Sequence, residues 1–197
     1  MTSGILTIDS EIELRVWTDA HAPSLFALVD VNRAYLRQWL PWLDSNTEVA
    51  HTAGFIRLSK EQHEQNLGFN CGIWYQGTLC GAIGFHKIDW QNKNVEFGYW
   101  IDQHVQGKGI VTRASRAMVD YAFNELKLHR VQIRCATANP RSCAVIERLG
   151  LKFEGVQRGG EFLYDRWVDL NVYAIRDFEW KAMTDRRRER ELAVKPK

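Results

Sequence analysis

Along residues 11–17, EIELRVW, charged and apolar side chains alternate, the two-residue period of a strand with one buried face. From 22 to 40 the spacing lengthens. Leu25, Phe26, Leu28 and Val29, then Tyr35, Leu36, Trp39 and Leu40, recur every three or four residues and predict two helical pieces. Residues 47–65 predict another helix, capped by Asn46 or Thr47. The period then changes, with strands at 70–75 and 79–88 joined by the short glycine turn QGT. A second turn, DWQNKN, leads to a third strand of this meander at 95–101. Ala114, Ala117, Met118, Tyr121, Ala122 and Leu126 mark one face of a helix over 110–125, and HRVQIRCAT, 129–137, is again a strand. In NPRSCAVIERLG, Asn139 suits the helix cap, Pro140 the first helical position and Gly150 the left-handed stop. Two strands follow, one at 152–156 that continues near 160–163, the other at 167–175. The order βααβββαβαββ describes a mixed α/β fold rather than a doubly wound one. Residues 1–180 form one predicted domain. The segment 181–197, with seven basic and three acidic side chains, is a basic extension, helical before it frays into disorder.

Composition narrows the field of functions. With 26 basic and 24 acidic residues the net charge is +2, so the overall field suggests no nucleic-acid partner. The cysteines, Cys71, Cys80, Cys135 and Cys143, form no CxxC pair and read as reduced core residues. The histidines show no metal-ligand spacing, and no metal is expected. No apolar run approaches the ~20 residues of a membrane span, and the acid-bearing start MTSGILTIDSEIEL is unlike a signal peptide. A cytoplasmic protein is the expectation. Trp39 and Trp42 flank Pro41 in YLRQWLPWLD, where two rings in a proline-broken segment serve either as core plugs or as the wall of a groove.

The segment richest in chemistry is WIDQHVQGKGIVT. An apolar strand ends, Gly107 and Gly109 bracket Lys108, and an amphipathic helix begins. Glycines let consecutive N–H groups turn towards one point, and a helix start adds unsatisfied donors and about half a positive charge. Together these make a cradle for phosphate or pyrophosphate, to which Lys108 and Arg113 add charge unless they are simply solvated. The stretch is neither the GxxxxGK[ST] nucleotide loop nor the GxGxxG dinucleotide fingerprint, which would need glycine at Thr112.

Three segments in order, EFGYWIDQHVQGKGIVTRASRAMVDYAF, NPRSCAVIERLGLKFEG and DLNVYAI, resemble the GCN5-related N-acetyltransferases. The similarity is greatest to the RimJ/RimL branch, which acetylates N-terminal amines of ribosomal proteins. It covers about residues 11–180. Of the acyl-CoA signature [QR]-x-x-G-x-[GA], Gln106 and Gly109 fit and Val111 departs. The resemblance implies a mixed sheet whose fourth and fifth strands splay apart to admit acetyl-CoA. Backbone groups of Phe97, Gly98, Tyr99, Trp100 and Ile101 would then pair with the pantetheine arm. Gln106, Gly107, Lys108, Gly109, Ile110, Val111 and Thr112 would hold the pyrophosphate, and Asn139 would touch the arm. It also implies an acceptor cleft beside Trp39, Trp42 and Asp44, and makes a homodimer a possible assembly.

The reaction is attack of a neutral amine on a thioester. At pH 7 an α-amine of pKa ~8 loses its proton at a cost of about 1 kcal/mol, whereas a lysine near ~10.4 needs about 4.6 kcal/mol. N-terminal acceptors are therefore favoured and lysine is not excluded. Two carboxylates compete as base. Glu161 in RGGEFLYDRW matches a glutamate of the Rim branch, and Glu96 shares a strand face with Gly98 and Trp100. Many family members protonate the leaving thiolate with a tyrosine seven residues after the asparagine; here that position is Ile146, and Ser142 is the candidate instead. Three other readings stay open at this level: transfer to a small amine such as an aminoglycoside or polyamine, a CoA-binding sensor without turnover, and a nucleic-acid module using the RRRER tail.

Overall fold

Eight strands form one sheet in the order β1-β2-β3-β4-β5-β6-β8-β7 in the computed structural model, which describes residues 4–194. The strands are β1 Ile5–Thr7, β2 Ile12–Val16, β3 Phe69–Tyr75, β4 Thr78–Phe85, β5 Asn94–Ile101, β6 Arg130–Ala136, β7 Lys152–Leu163 and β8 Arg166–Arg176. Every neighbouring pair is antiparallel except β5 and β6. The helices are α1 Ala22–Val31, α2 Arg33–Leu36, α3 Val49–Glu64, α4 Ile110–Asn124, α5 Pro140–Leu149 and α6 Asp177–Val194.

Strand alternation sends one set of side chains to each face, and each face has its own core. On one side Val95, Phe97 and Ile101 of β5 and Val131 and Ile133 of β6 pack with the apolar stripe of α4, including Ala114, Met118 and Ala122. On the other, Trp17, Trp74, Leu25, Val29 and Ile56 form a second cluster, against which Trp42, Trp100 and Tyr164 are packed. The four cysteines are free thiols; three are buried, and Cys143 is half-buried.

The elements depart from the sequence reading in four places. β1 was not foreseen; three residues are too few for a period to show, and it is held by pairing with β2. α3 starts at Val49 with Glu48 at the cap position, and Asn46 instead accepts a hydrogen bond from Thr52 Oγ1 at 2.9 Å. The strand predicted at 152–156 with its continuation near 160–163 is β7, but it carries register shifts between Phe153 and Gly155 and between Gln157 and Glu161. The C-terminal extension belongs to α6, which begins at Asp177 and is anchored where Trp180 Nε1 donates to Asp120 on α4 at 2.7 Å. The last three residues of the predicted extension lie outside the described residues.

Candidate active site

β5 and β6 pair only at Asn94–Arg130, Val95–Val131 and Glu96–Gln132. Beyond that point β5 continues with β4 as far as Ile101, and β6 continues with β8 as far as Ala136. The two strands separate, leaving the β5 edge from Phe97 onwards without a ladder partner, a row of backbone groups that seeks one. A groove of about 990 Å³ opens here, between Tyr99, Trp100 and Ile101 on one wall and Asn139 with Ser142 and Val145 of α5 on the other. Phe97 is buried in the core and offers only its backbone.

The loop between β5 and α4 closes one end of the groove. Gly107 and Gly109 both hold positive φ, 80° and 71°, and no atom lies within 4 Å of where a Cβ would stand. Their conformation, rather than crowding, is what calls for glycine. Arg113 N–H bonds to Gly109 O at 3.0 Å. The amides of Ile110, Val111 and Thr112 precede that bond and are the donors a helix start leaves without an internal partner. Val111, the departure from the signature, is buried with the core, so its larger side chain fills space beneath the helix. Gln106 bridges the mouth: Nε2 donates to Tyr35 Oη of α2, and Oε1 accepts from Arg141 Nη1 of α5 at 2.7 Å.

Of the two cations that the sequence offers beside this loop, neither lines the groove. Lys108 stands 5.2 Å from the ring centre of Tyr75. Arg113 is neutralised by Asp9 and Glu11 at 2.8 and 3.0 Å. Amide N–H of Glu11 and then the guanidinium lower Asp9, and Arg113 is the first cause lowering Glu11.

At the inner end, Asn139 caps α5 by accepting from Ser142 N–H at 3.1 Å. Ser142 Oγ lies 3.1 Å from Tyr99 Oη. Burial drives the Tyr99 phenol far above its ordinary range, although the Ser142 contact pulls the other way, so it stays protonated. Ile146, at the family's tyrosine position, is fully buried. The phenol beside Ser142 thus comes from β5, a meeting of positions 43 residues apart that sequence inspection missed.

On the opposite face of the split sheet, four ionisable groups gather from four elements. Glu96 accepts from Arg134 Nε at 2.9 and 2.8 Å on its two oxygens and from Gln132 Nε2 at 3.0 Å. His86 Nδ1 lies 3.4 Å from Glu96 Oε1, and its Nε2 is 3.3 Å from where a Cβ on Gly98 would stand. Burial alone would raise Glu96, but His86 and Arg134 outweigh it and hold the carboxyl at about 2. Glu161, half-buried on β7, is raised instead, chiefly by burial; Arg134 lowers it, Glu96 raises it and His86 lowers it. Arg134 and His86 gave no sequence signal. Arg130, Gln132 and Arg134 alternate with buried Val131, Ile133 and Cys135, the pattern of an ordinary solvated strand face.

The three expected acceptor-side residues are separated. Trp39 lines the groove. Trp42 packs near Trp100, ring centres 6.5 Å apart. Asp44 is exposed and bound to Arg37 at 2.7 and 2.8 Å. The tip of the β7–β8 hairpin holds this segment, since Tyr164 Oη donates to Leu40 O at 2.6 Å and accepts from Leu43 N–H at 3.2 Å.

Residues 11–152 match the family model described as the acetyltransferase (GNAT) domain. The chain is 34% identical over 175 residues to YdaF of Bacillus subtilis, whose name assigns it to ribosomal N-acetyltransfer, covering 88% of this chain and 96% of that protein. It is 30% identical over 169 residues to the ribosomal-protein-serine acetyltransferase of Escherichia coli, covering 86% and 94%. Among solved structures, RimL, described as a ribosomal alpha-N-protein acetyltransferase in complex with coenzyme A, superposes with a TM-score of 0.84 at 31% identity, covering 88% of this chain and 98% of that one.

Proposed function

The chain belongs to the GNAT acetyltransferases and is an acetyl-CoA-dependent N-acetyltransferase, and from that premise we propose that its acceptor is the N-terminal α-amine of a protein, such as a ribosomal protein. The observation that supports this reading is the parting of β5 from β6, which leaves different chemistry on the two faces of the sheet: the groove on one, and the carboxylates about Arg134 on the other. A hydroxyl–phenol pair stands on the α5 side, and a half-buried, raised carboxylate stands on the other.

In this reading the acetyl donor lies along the β5 edge with its pyrophosphate on the amides that open α4. Gln106 and Arg141 border that end, and Asn139 and Ser142 border the thioester. The amine reaches the thioester carbonyl from the Glu161 side and gives its proton to Glu161, directly or through water. The new N–C bond forms as the C–S bond breaks, within one ternary complex. Ser142, paired with Tyr99, donates a hydrogen bond to the departing sulfur, whose thiol is acidic enough to leave with that help. Trp42 and Trp100 supply an apolar wall for the acceptor chain, and Trp39 borders the donor. Asp44, already paired with Arg37, carries little free charge for the amine.

The test is release of free thiol from acetyl-CoA with a panel of peptides bearing free N-termini, set against a panel of aminoglycosides and polyamines. Turnover confined to peptides is expected; turnover confined to small amines would replace the acceptor proposed. With the active peptide, Glu161→Gln is expected to lower kcat about a hundredfold at pH 7. A rate within twofold of wild type would remove Glu161 as base.

A further inference from the structure

Glu96 occupies a strand position facing the acceptor side, yet its oxygens are engaged by Arg134, Gln132 and His86. Arg134 has a second attachment, Nη1 donating to Gln157 Oε1 at 3.1 Å. Gln157 begins the register shift of β7 that ends at Glu161. The guanidinium is thus tied on one side to a carboxylate of β5 and on the other to the bulge that presents a second carboxylate. That second carboxylate, Glu161, accepts no side-chain hydrogen bond and joins no ion pair among the described residues, although it feels the charges of Arg134, Glu96 and His86.

We propose that Glu96 is a positioning residue: by holding Arg134 against β5 and β6 it keeps the guanidinium off Glu161 and leaves that carboxylate open to the acceptor's ammonium. This rests on the reading of Glu161 as the proton acceptor. Arg134 is the cation that would compete with the substrate for Glu161 once its bonds to Glu96 were lost, being about a third exposed on a long side chain. A guanidinium paired directly with a carboxylate lowers its proton affinity by one to three powers of ten, roughly, and blocks the oxygens a substrate would use.

Other charged groups stand on the surrounding elements: Arg158 lies within the same bulge, three residues before Glu161, and is not among the charges that shift it. His86, beyond β4, faces Glu96. On the hairpin itself, Asp169 accepts from Gly159 N–H at 2.7 Å. Arg166 is directed to Asp165 and to the carbonyl of Gln38. Removing the Glu96 charge then acts twice in the same direction: a neighbouring carboxylate that raises Glu161 is lost, and the arginine that lowers it is released.

The experiment follows the Glu161 side-chain carboxyl carbon by 13C NMR against pH, assigned by its disappearance in E161Q, alongside kcat with the active peptide. In E96Q the Glu161 midpoint is expected to fall by about one pH unit and kcat by about tenfold. E96D, which keeps the charge, should restore most of both. R134M should raise the midpoint, and E96Q/R134M should return it towards wild type and recover rate over E96Q alone. An unmoved or raised midpoint in E96Q would overturn the proposal, as would a double variant no better than E96Q. If E96Q does not fold, R134M decides alone, and a midpoint that fails to rise counts against. Wild-type turnover by E161Q would instead sink the base assignment, while the NMR midpoints still report where Arg134 sits.

Discussion

Ser142 and Tyr99 make one hydrogen-bonded unit from two distant parts of the chain, the first turn of α5 and a partly buried phenol on β5. In the proposed mechanism Ser142 Oγ would serve the departing sulfur, while its N–H serves the Asn139 cap, so substitution separates the two. Ser142→Ala keeps the backbone cap and is expected to lower kcat about tenfold with the KM for acetyl-CoA within about twofold, corresponding to one hydrogen bond made in the transition state. Steady-state kinetics with both substrates varied would check it; a rise in KM at unchanged kcat would reassign the hydroxyl to binding. Glu161 carries the opposite bargain. A carboxyl whose folded pKa is raised is destabilising once ionised, so its burial weakens the fold above the unfolded-state pKa. Glu161→Gln should therefore raise the melting temperature at pH 7 but not at pH 3, while costing rate.

At the scale of elements, α4 and its loop act as a donor array, and Gly109 sets its direction. Gly109→Ala meets no steric obstacle, so the expected loss is the left-handed backbone penalty alone, about 1–2 kcal/mol of stability. A compensating shift of φ would turn the amides away, and the KM for acetyl-CoA should rise. Urea titration and donor kinetics measure the two effects on the same protein. α6 works differently. Trp180 is buried, bonded to Asp120 and packed near Phe123, ring centres 6.5 Å apart. Gly150, in the left-handed conformation that stops α5, leaves room for Met183 of α6, whose Sδ would stand 2.5 Å from an added Cβ. Trp180→Ala is expected to destabilise by about 3–5 kcal/mol, read from the urea midpoint.

For the molecule as a whole, charge enters through a few paired carboxylates rather than through net charge. Glu96 and Glu179 are both held at about 2 against an ordinary 4.5, Glu179 first of all by Arg176. Groups depressed in this way stabilise fully above the unfolded value and lose that contribution as pH falls through the folded one. The melting temperature should accordingly fall between about pH 4.5 and 2, and fall less steeply in E96Q. Ligand linkage acts across the same fold: acetyl-CoA at a hundred times its Kd should add about 2.7 kcal/mol, visible as a higher melting temperature. No helix among the described residues is long and apolar enough to cross a membrane.

Local periodicity was enough to read β2 to β6, α4 and α5, because each buries a face whose spacing is written in the chain. The glycine loop and the capped helix were legible for the same reason: Gly107, Gly109 and Asn139 answer to backbone geometry within a few residues. β1 escaped because pairing, not pattern, makes it a strand, and the bulges of β7 escaped because a register shift exists only relative to β8. The same division runs through the site. Sequence supplied Ser142, Glu96 and Glu161 as chemical types in a recognisable order. Which groups face one another was decided by the parting of β5 from β6, which sets Tyr99 against Ser142 and draws Arg134 to Glu96 across a contact of 38 positions. Hydrogen bonds and Coulomb forces act through space at a few ångströms, and a chain records only the distances along itself.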